Sequence, residues 1–86
     1  MTFQIKISKN AAKDISKLDN LVRKRIQQAV TTKLITDPIG NSIPLQDFEV
    51  VGVRRLRIGD YRIIFLVDEK VIEVLKVGHR REIYKG

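Results

Sequence analysis

Arg54-Arg55-Leu56-Arg57-Ile58-Gly59-Asp60-Tyr61-Arg62-Ile63-Ile64-Phe65 gathers four arginines, a turn signal and an apolar run into twelve residues. Glycine takes the positive φ that primed turns require, so Gly59-Asp60 between two β-favouring segments predicts a two-residue hairpin. Such a turn sets Ile58 opposite Tyr61, Arg57 opposite Arg62, Leu56 opposite Ile63, Arg55 opposite Ile64 and Arg54 opposite Phe65. Side chains alternate between the faces of a strand. Arg55, Arg57 and Arg62 therefore share one face, while Leu56, Ile58, Tyr61, Ile63 and Phe65 share the other. Like charges directly opposite in a sheet repel, at a cost of up to ~1 kcal/mol. The Arg57/Arg62 pair is then either a solvated surface balanced by carboxylates such as Asp60 or Glu73, or a surface built for an anion.

Upstream of the hairpin, Phe3, Ile5 and Ile7 alternate with Gln4 and Lys6, which predicts a short half-buried strand. Ser8 and Asn10 are candidate caps for a helix whose stripe is Ala11, Ala12, Ile15 and Leu18, with Lys9, Lys13, Asp14 and Lys17 turned outward. Asp19-Asn20 ends it near Leu18 and offers a second cap. The next stripe is Val22, Ile26, Ala29, Val30 and Lys33, and Asp37-Pro38 closes that helix because the residue before proline leaves the α region. Residues 38–52 hold two prolines and two glycines without a period. They predict a loop, with Leu45 and Phe48 tacked to the core.

Downstream, Asp68-Glu69 turns the chain into a strand from Val71 to Val77. A second two-residue turn places Ile72 and Val74 with Ile63 and Phe65, and Val71, Glu73 and Leu75 with Arg62, Ile64 and Leu66. The arginine face is then partly apolar, a mark of contact with another macromolecule unless C-terminal residues cover it. Gly78 leaves the parity of the following residues open, and the returning chain is expected to bring His79, Arg80 and Tyr84 near the arginine face. The expected fold is α+β in one domain, residues 1–86: an N-terminal strand, a two-helix hairpin and an antiparallel meander of three strands, with the helices packed on one face.

The 86 residues carry a formal net charge of +7 and a sequence pI near 10.1, which favours polyanions, nucleic acid first and anionic membranes second. Lysine prevails up to Lys33 and arginine from Arg54 onward. Arginine binds phosphate bidentately, so the second half reads as the contact half. With no cysteine and one histidine, a thiolate metal site is excluded and a zinc site disfavoured. The longest apolar run, Ile63 to Val67, falls far short of the ~20 residues of a membrane span, and the N-terminus has no signal-peptide core. The expected location is the cytoplasm. No P-loop, dinucleotide motif or zincin helix occurs, so no cofactor is expected and the chemistry must come from Arg, His and Tyr.

The segment Arg55 to Phe65 together with Val77-Gly78-His79-Arg80-Arg81-Glu82-Ile83-Tyr84 resembles the RelE family of the RelE/ParE toxin superfamily. The likeness spans the whole chain. It implies the toxin of a type II toxin–antitoxin system, an endoribonuclease that cleaves messenger RNA in the ribosomal A site without a metal and is held in check by a cognate antitoxin in a hetero-oligomer. Carried over by position, Arg55, Arg62, Arg80 and Tyr84 resemble the family's catalytic residues. The sheet here is richer in arginine than in the best-known members, the gap from the last arginine to Tyr84 is shorter, and His79 stands where some relatives have lysine.

Cleavage by a 2′-hydroxyl needs that hydroxyl activated, the phosphorane stabilised and the 5′-oxygen protonated. Arg57, Arg62 and Arg80 suit the electrostatic part, with Arg81 and Lys85 as further RNA contacts. Arginine does not deprotonate in proteins. Histidine is the residue type suited to exchanging protons at physiological pH, so His79 is then the chemically matched base or acid, and Tyr84 is a proton donor or a stacking platform. The competing functions are a ParE-like inhibitor of DNA gyrase and a non-catalytic RNA-binding module.

Overall fold

The structure is a computed structural model that describes residues 3–45 and 52–79. At its centre, β3 (Val53–Ile58) and β4 (Tyr61–Asp68) pair antiparallel in the register expected from the turn, Ile58 opposite Tyr61 through Arg54 opposite Phe65. Gly59 supplies a φ of +56° at the first turn position, which a side chain would oppose. β5 (Val71–His79) returns antiparallel along β4. β1 (Gln4–Ile7) runs parallel to β5 on its far side, a pairing that requires the crossover supplied by the helices.

Residues 38–52, expected to be loop, contribute a two-residue strand β2 (Ile43–Pro44) beside Arg54 and Arg55 of β3. Proline is tolerated there because the neighbouring Leu45, not Pro44, donates its N–H to the Val53 carbonyl at 2.9 Å. The five strands are ordered β1-β5-β4-β3-β2. Leu45 packs as expected, and Phe48 lies outside the described residues.

α1 (Lys9–Ser16) starts at Ser8, whose hydroxyl accepts the Ala11 N–H at 3.0 Å, so Ser8 and not Asn10 is the cap. Ala11, Ile15 and Leu18 face the sheet, whereas Ala12 is exposed. α2 (Asn20–Ala29) follows Asp19, which makes no side-chain cap bond. The Arg23 guanidinium closes the corner instead, donating to the Leu18 carbonyl at 3.2 Å and to the Asn20 side chain at 3.0 Å.

α2 runs into a π-helical turn, Val30–Leu34, in which the Ile35 N–H reaches back to the Val30 carbonyl at 3.1 Å. The wider turn advances the inward stripe by one residue. Leu34, fully buried, therefore takes the core position expected for Lys33, which is exposed. Burying leucine gains ~2 kcal/mol, whereas a lysine ammonium there would lose its hydration.

Helix and sheet residues meet in one core of Ala11, Ile26, Leu34, Leu56, Ile63, Phe65, Ile72, Val74 and Val77. A smaller cluster on the other sheet face joins Val53 and Ile64 to Leu45, Leu66 and Leu75. Part of the apolar character expected on the arginine face is thus packed away.

One irregularity decides the far end of β5. Phe65 faces Val74 but Ile64 faces Lys76, so Leu75 is an extra residue and the parity of β5 inverts beyond it. The inversion puts Val77 opposite Ile63 in the core and turns Lys76 away. α1 satisfies the polar groups around this bulge. The Ser8 hydroxyl donates to the Leu75 carbonyl at 3.1 Å, and the Asp14 carboxylate accepts the Val77 N–H at 3.1 Å. Asp14, expected to point outward, is half-buried for that reason.

Candidate nucleic-acid interface

Register puts Arg55, Arg57 and Arg62 on the sheet face away from the helices, yet the three differ. Arg57 is exposed and Arg55 half-buried, while Arg62 is only 6% exposed. Repulsion across the Arg57/Arg62 pair is relieved because Arg62 bends to the turn. Its Nη1 donates to the carbonyls of Gly59 at 3.1 Å and Tyr61 at 3.0 Å. Its buried Nε has no partner among the described residues. Gly78 stands opposite Arg62 on β5 and presents no side chain beside it.

Arg54, of the opposite parity, is a clamp. Its Nε donates to the Ser42 hydroxyl at 2.7 Å, and its Nη2 to the carbonyls of Ser42 at 3.0 Å and Ile39 at 3.2 Å. Within the clamped loop, the Asp37 carboxylate accepts the Gly40 N–H at 2.9 Å, and the Asn41 amide donates to the carbonyls of Lys33 at 3.1 Å and Asp37 at 3.0 Å. The loop is thereby held against the free end of the β3 edge.

Between loop and edge opens a cleft of about 390 Å³ whose polar lining comes from Lys33, Asn41, Ser42, Arg55 and Arg57. Three cations and no carboxylate among the described lining residues make this a place for an anion. Sequence reasoning missed Lys33 by assigning it to the core. The signal was Leu34, an apolar residue one step beyond, which a π turn brings inward.

His79 does not join the arginines. The bulge places it opposite Tyr61 on the helix side, with ring centroids 5.5 Å apart and planes at 83°. Arg80, Arg81, Tyr84 and Lys85 lie outside the described residues. Among the described residues no three His, Cys, Asp or Glu side chains gather as metal ligands, and no helix is long and apolar enough to cross a membrane.

The family model described as "ParE toxin of type II toxin-antitoxin system, parDE" matches residues 5–84. The chain belongs to the RelE/ParE family of type II toxins. Among solved structures, the archaeal RelE–RelB complex from Pyrococcus horikoshii is 30% identical, with 95% of this chain and 99% of that one covered and a TM-score of 0.76. The RelBE2 toxin–antitoxin complex from Mycobacterium tuberculosis shares the fold at 23% identity and a TM-score of 0.85, over 93% of this chain and 100% of that one. The chromosomal ParDE system of Pseudomonas aeruginosa does so at 20% and 0.71, covering 91% and 96%. A search of curated proteins finds no match. The RelE/ParE fold thus carries, in this toxin, an arginine-lined sheet edge on one side and a His/Tyr corner on the other.

Proposed function

We propose that this RelE/ParE-family toxin is a ribosome-dependent messenger-RNA endoribonuclease, with Arg57 and Arg55 gripping the backbone at the scissile phosphate. The cleft that sets Lys33, Arg55 and Arg57 around one opening, without a carboxylate among its described residues, carries this reading. In the reaction the 2′-oxygen attacks the adjacent phosphorus and the P–O5′ bond breaks. A 2′,3′-cyclic phosphate and a 5′-hydroxyl result, the proton lost by the 2′-oxygen being matched by one gained at the 5′-oxygen. Charge builds on the non-bridging oxygens, and guanidinium groups held beside them stabilise that charge more than the ground state. Arg62 acts beneath them by fixing the turn and adding its charge. Proton transfer falls to the C-terminal Tyr84, while Arg80 adds its charge at the phosphate and Arg81 and Lys85 are further RNA contacts. His79, on the opposite face, is less suited to act as the base than sequence reasoning expects.

The natural partner of such a toxin is a cognate antitoxin, and the P. horikoshii and M. tuberculosis relatives are themselves toxin–antitoxin complexes. An acidic or amphipathic antitoxin segment over the arginine edge would silence this chain in a cytoplasmic hetero-oligomer. The deciding assay adds the purified toxin to a translation extract and maps message ends. Cleavage of translated message, absent without ribosomes, is expected. Intact message with translation unimpeded would overturn the reading.

A second reading, inhibition of DNA gyrase, is favoured by the name of the matching family model, ParE. It predicts lost supercoiling in a purified gyrase assay with message left intact.

A further inference from the structure

We propose that the corner formed by Tyr61, His79 and α1 is a base-recognition pocket selective for guanine, filled by a nucleotide of the same RNA; this rests on the nuclease reading above. Behind the sheet from the arginines, a cleft of about 440 Å³ is lined by Asp14, Lys17 and Leu18 of α1 and by Tyr61 and His79 of the strands. Its size falls within the ~300–1,000 Å³ of small-ligand sites. The two rings stand at 83°, so a planar base can stack on one ring while its edge meets the other, and Leu18 supplies apolar surface beneath. Stacking on aromatic side chains with hydrogen bonds to the Watson–Crick edge is how proteins read unpaired RNA bases.

Asp14 gives the pocket its selectivity. A carboxylate here is out of place for phosphate, in a chain of net charge +7. Among the described residues its carboxylate accepts one bond, from the Val77 N–H at 3.1 Å, which fixes its position and leaves further acceptor sites of the ~four that a carboxylate offers. Guanine alone among the RNA bases sets two donors side by side on its Watson–Crick edge, and a fixed carboxylate matches them. Lys17, exposed at the rim, suits the attached phosphate. The pocket also lies within reach of the arginine edge. Tyr61 precedes Arg62, and β3 is the next strand to β4, so the two sites are separated by the sheet's thickness and roughly 5–10 Å of strand spacing.

The test titrates isotope-labelled toxin with 2′-O-methyl trinucleotides, which cannot be cleaved, differing only in a central G, A, C or U. The G probe should shift the Tyr61, His79 and Lys17 resonances and bind at least ~10-fold tighter than the A probe, the scale set by one charge-assisted pair. Asp14→Asn keeps an acceptor for the Val77 N–H but offers guanine a donor, so the G preference should fall to within twofold. Lys17→Ala should weaken all four probes alike. Equal binding of G and A, or shifts confined to the Arg55/Arg57 edge, would overturn the pocket. Guanine-selective binding here with no cleavage of translated message would overturn the nuclease reading and leave the pocket standing; cleavage without selective binding would do the reverse.

Discussion

Arg57 and Arg62 face each other across one rung, yet their environments assign them different work. Arg57 is exposed and holds no structural bond among those described, so Arg57→Ala should change stability by no more than ~0.5 kcal/mol. Losing one donor aimed at developing charge should nonetheless cut message cleavage ~10²-fold or more. A thermal melt beside a cleavage time course reads both. Arg62 donates to two carbonyls of its own turn from a buried position. Arg62→Ala should cost ~1–3 kcal/mol, seen as a lower midpoint in urea, and an unchanged midpoint would remove its role as the pin of the turn. Ser8 combines two tasks that are usually separate, capping α1 and bonding the bulge carbonyl of Leu75. Ser8→Ala should therefore destabilise by ~2 kcal/mol, the sum of a lost cap and one further hydrogen bond.

Among the elements, the two turns of the meander differ in how well their residues suit them. Gly59 meets the positive φ of the first at no cost, but the second places Glu69 at a φ of +54°, a region that costs an L residue ~1–2 kcal/mol. Glu69→Gly relieves that strain and loses part of the gain to the extra freedom of glycine in the unfolded chain. A net stabilisation of ~0.5–1 kcal/mol is expected, a rise of a few degrees in Tm for a domain of this size; a fall would show that the Glu69 side chain matters more than its backbone. Turn chemistry also explains what was legible. A two-residue turn leaves one register, so the face of every residue from Arg54 to Phe65 followed from Gly59-Asp60. The bulge was harder to read, because it arises from tertiary bonds to Ser8 and Asp14 that no local pattern encodes. Its trace is the phase slip at Lys76, where alternation from Ile72 and Val74 reaches a lysine and the next apolar residue, Val77, is out of step. Missing that slip leaves His79 assigned to the arginine face. The π turn after α2 hid Lys33 in the same way, by one residue inserted into a regular period.

At the scale of the molecule, the question is whether RNA binding reflects the diffuse field of a +7 chain or the particular cleft on the β3 edge. Both give salt-sensitive affinity, since phosphate neutralisation releases counterions whatever the geometry. They differ in which substitutions change the slope. If Lys33, Arg55 and Arg57 each neutralise one phosphate, the three together contribute about −2 to the log–log slope of affinity for single-stranded RNA against salt, that is ~0.7 for each contact. Arg57→Ala should then flatten the slope by ~0.7. Lys24→Ala removes the same charge from the exposed face of α2, away from the cleft, and should leave the slope as it is. Fluorescence anisotropy of an uncleavable oligonucleotide, titrated at several salt concentrations against the three proteins, reads this directly. Equal flattening by the two substitutions would return the arginine edge to one part of a general cationic surface. Flattening by Arg57→Ala alone would mean that the loop clamped by Arg54, which shapes the cleft and touches no phosphate itself, converts net charge into a site.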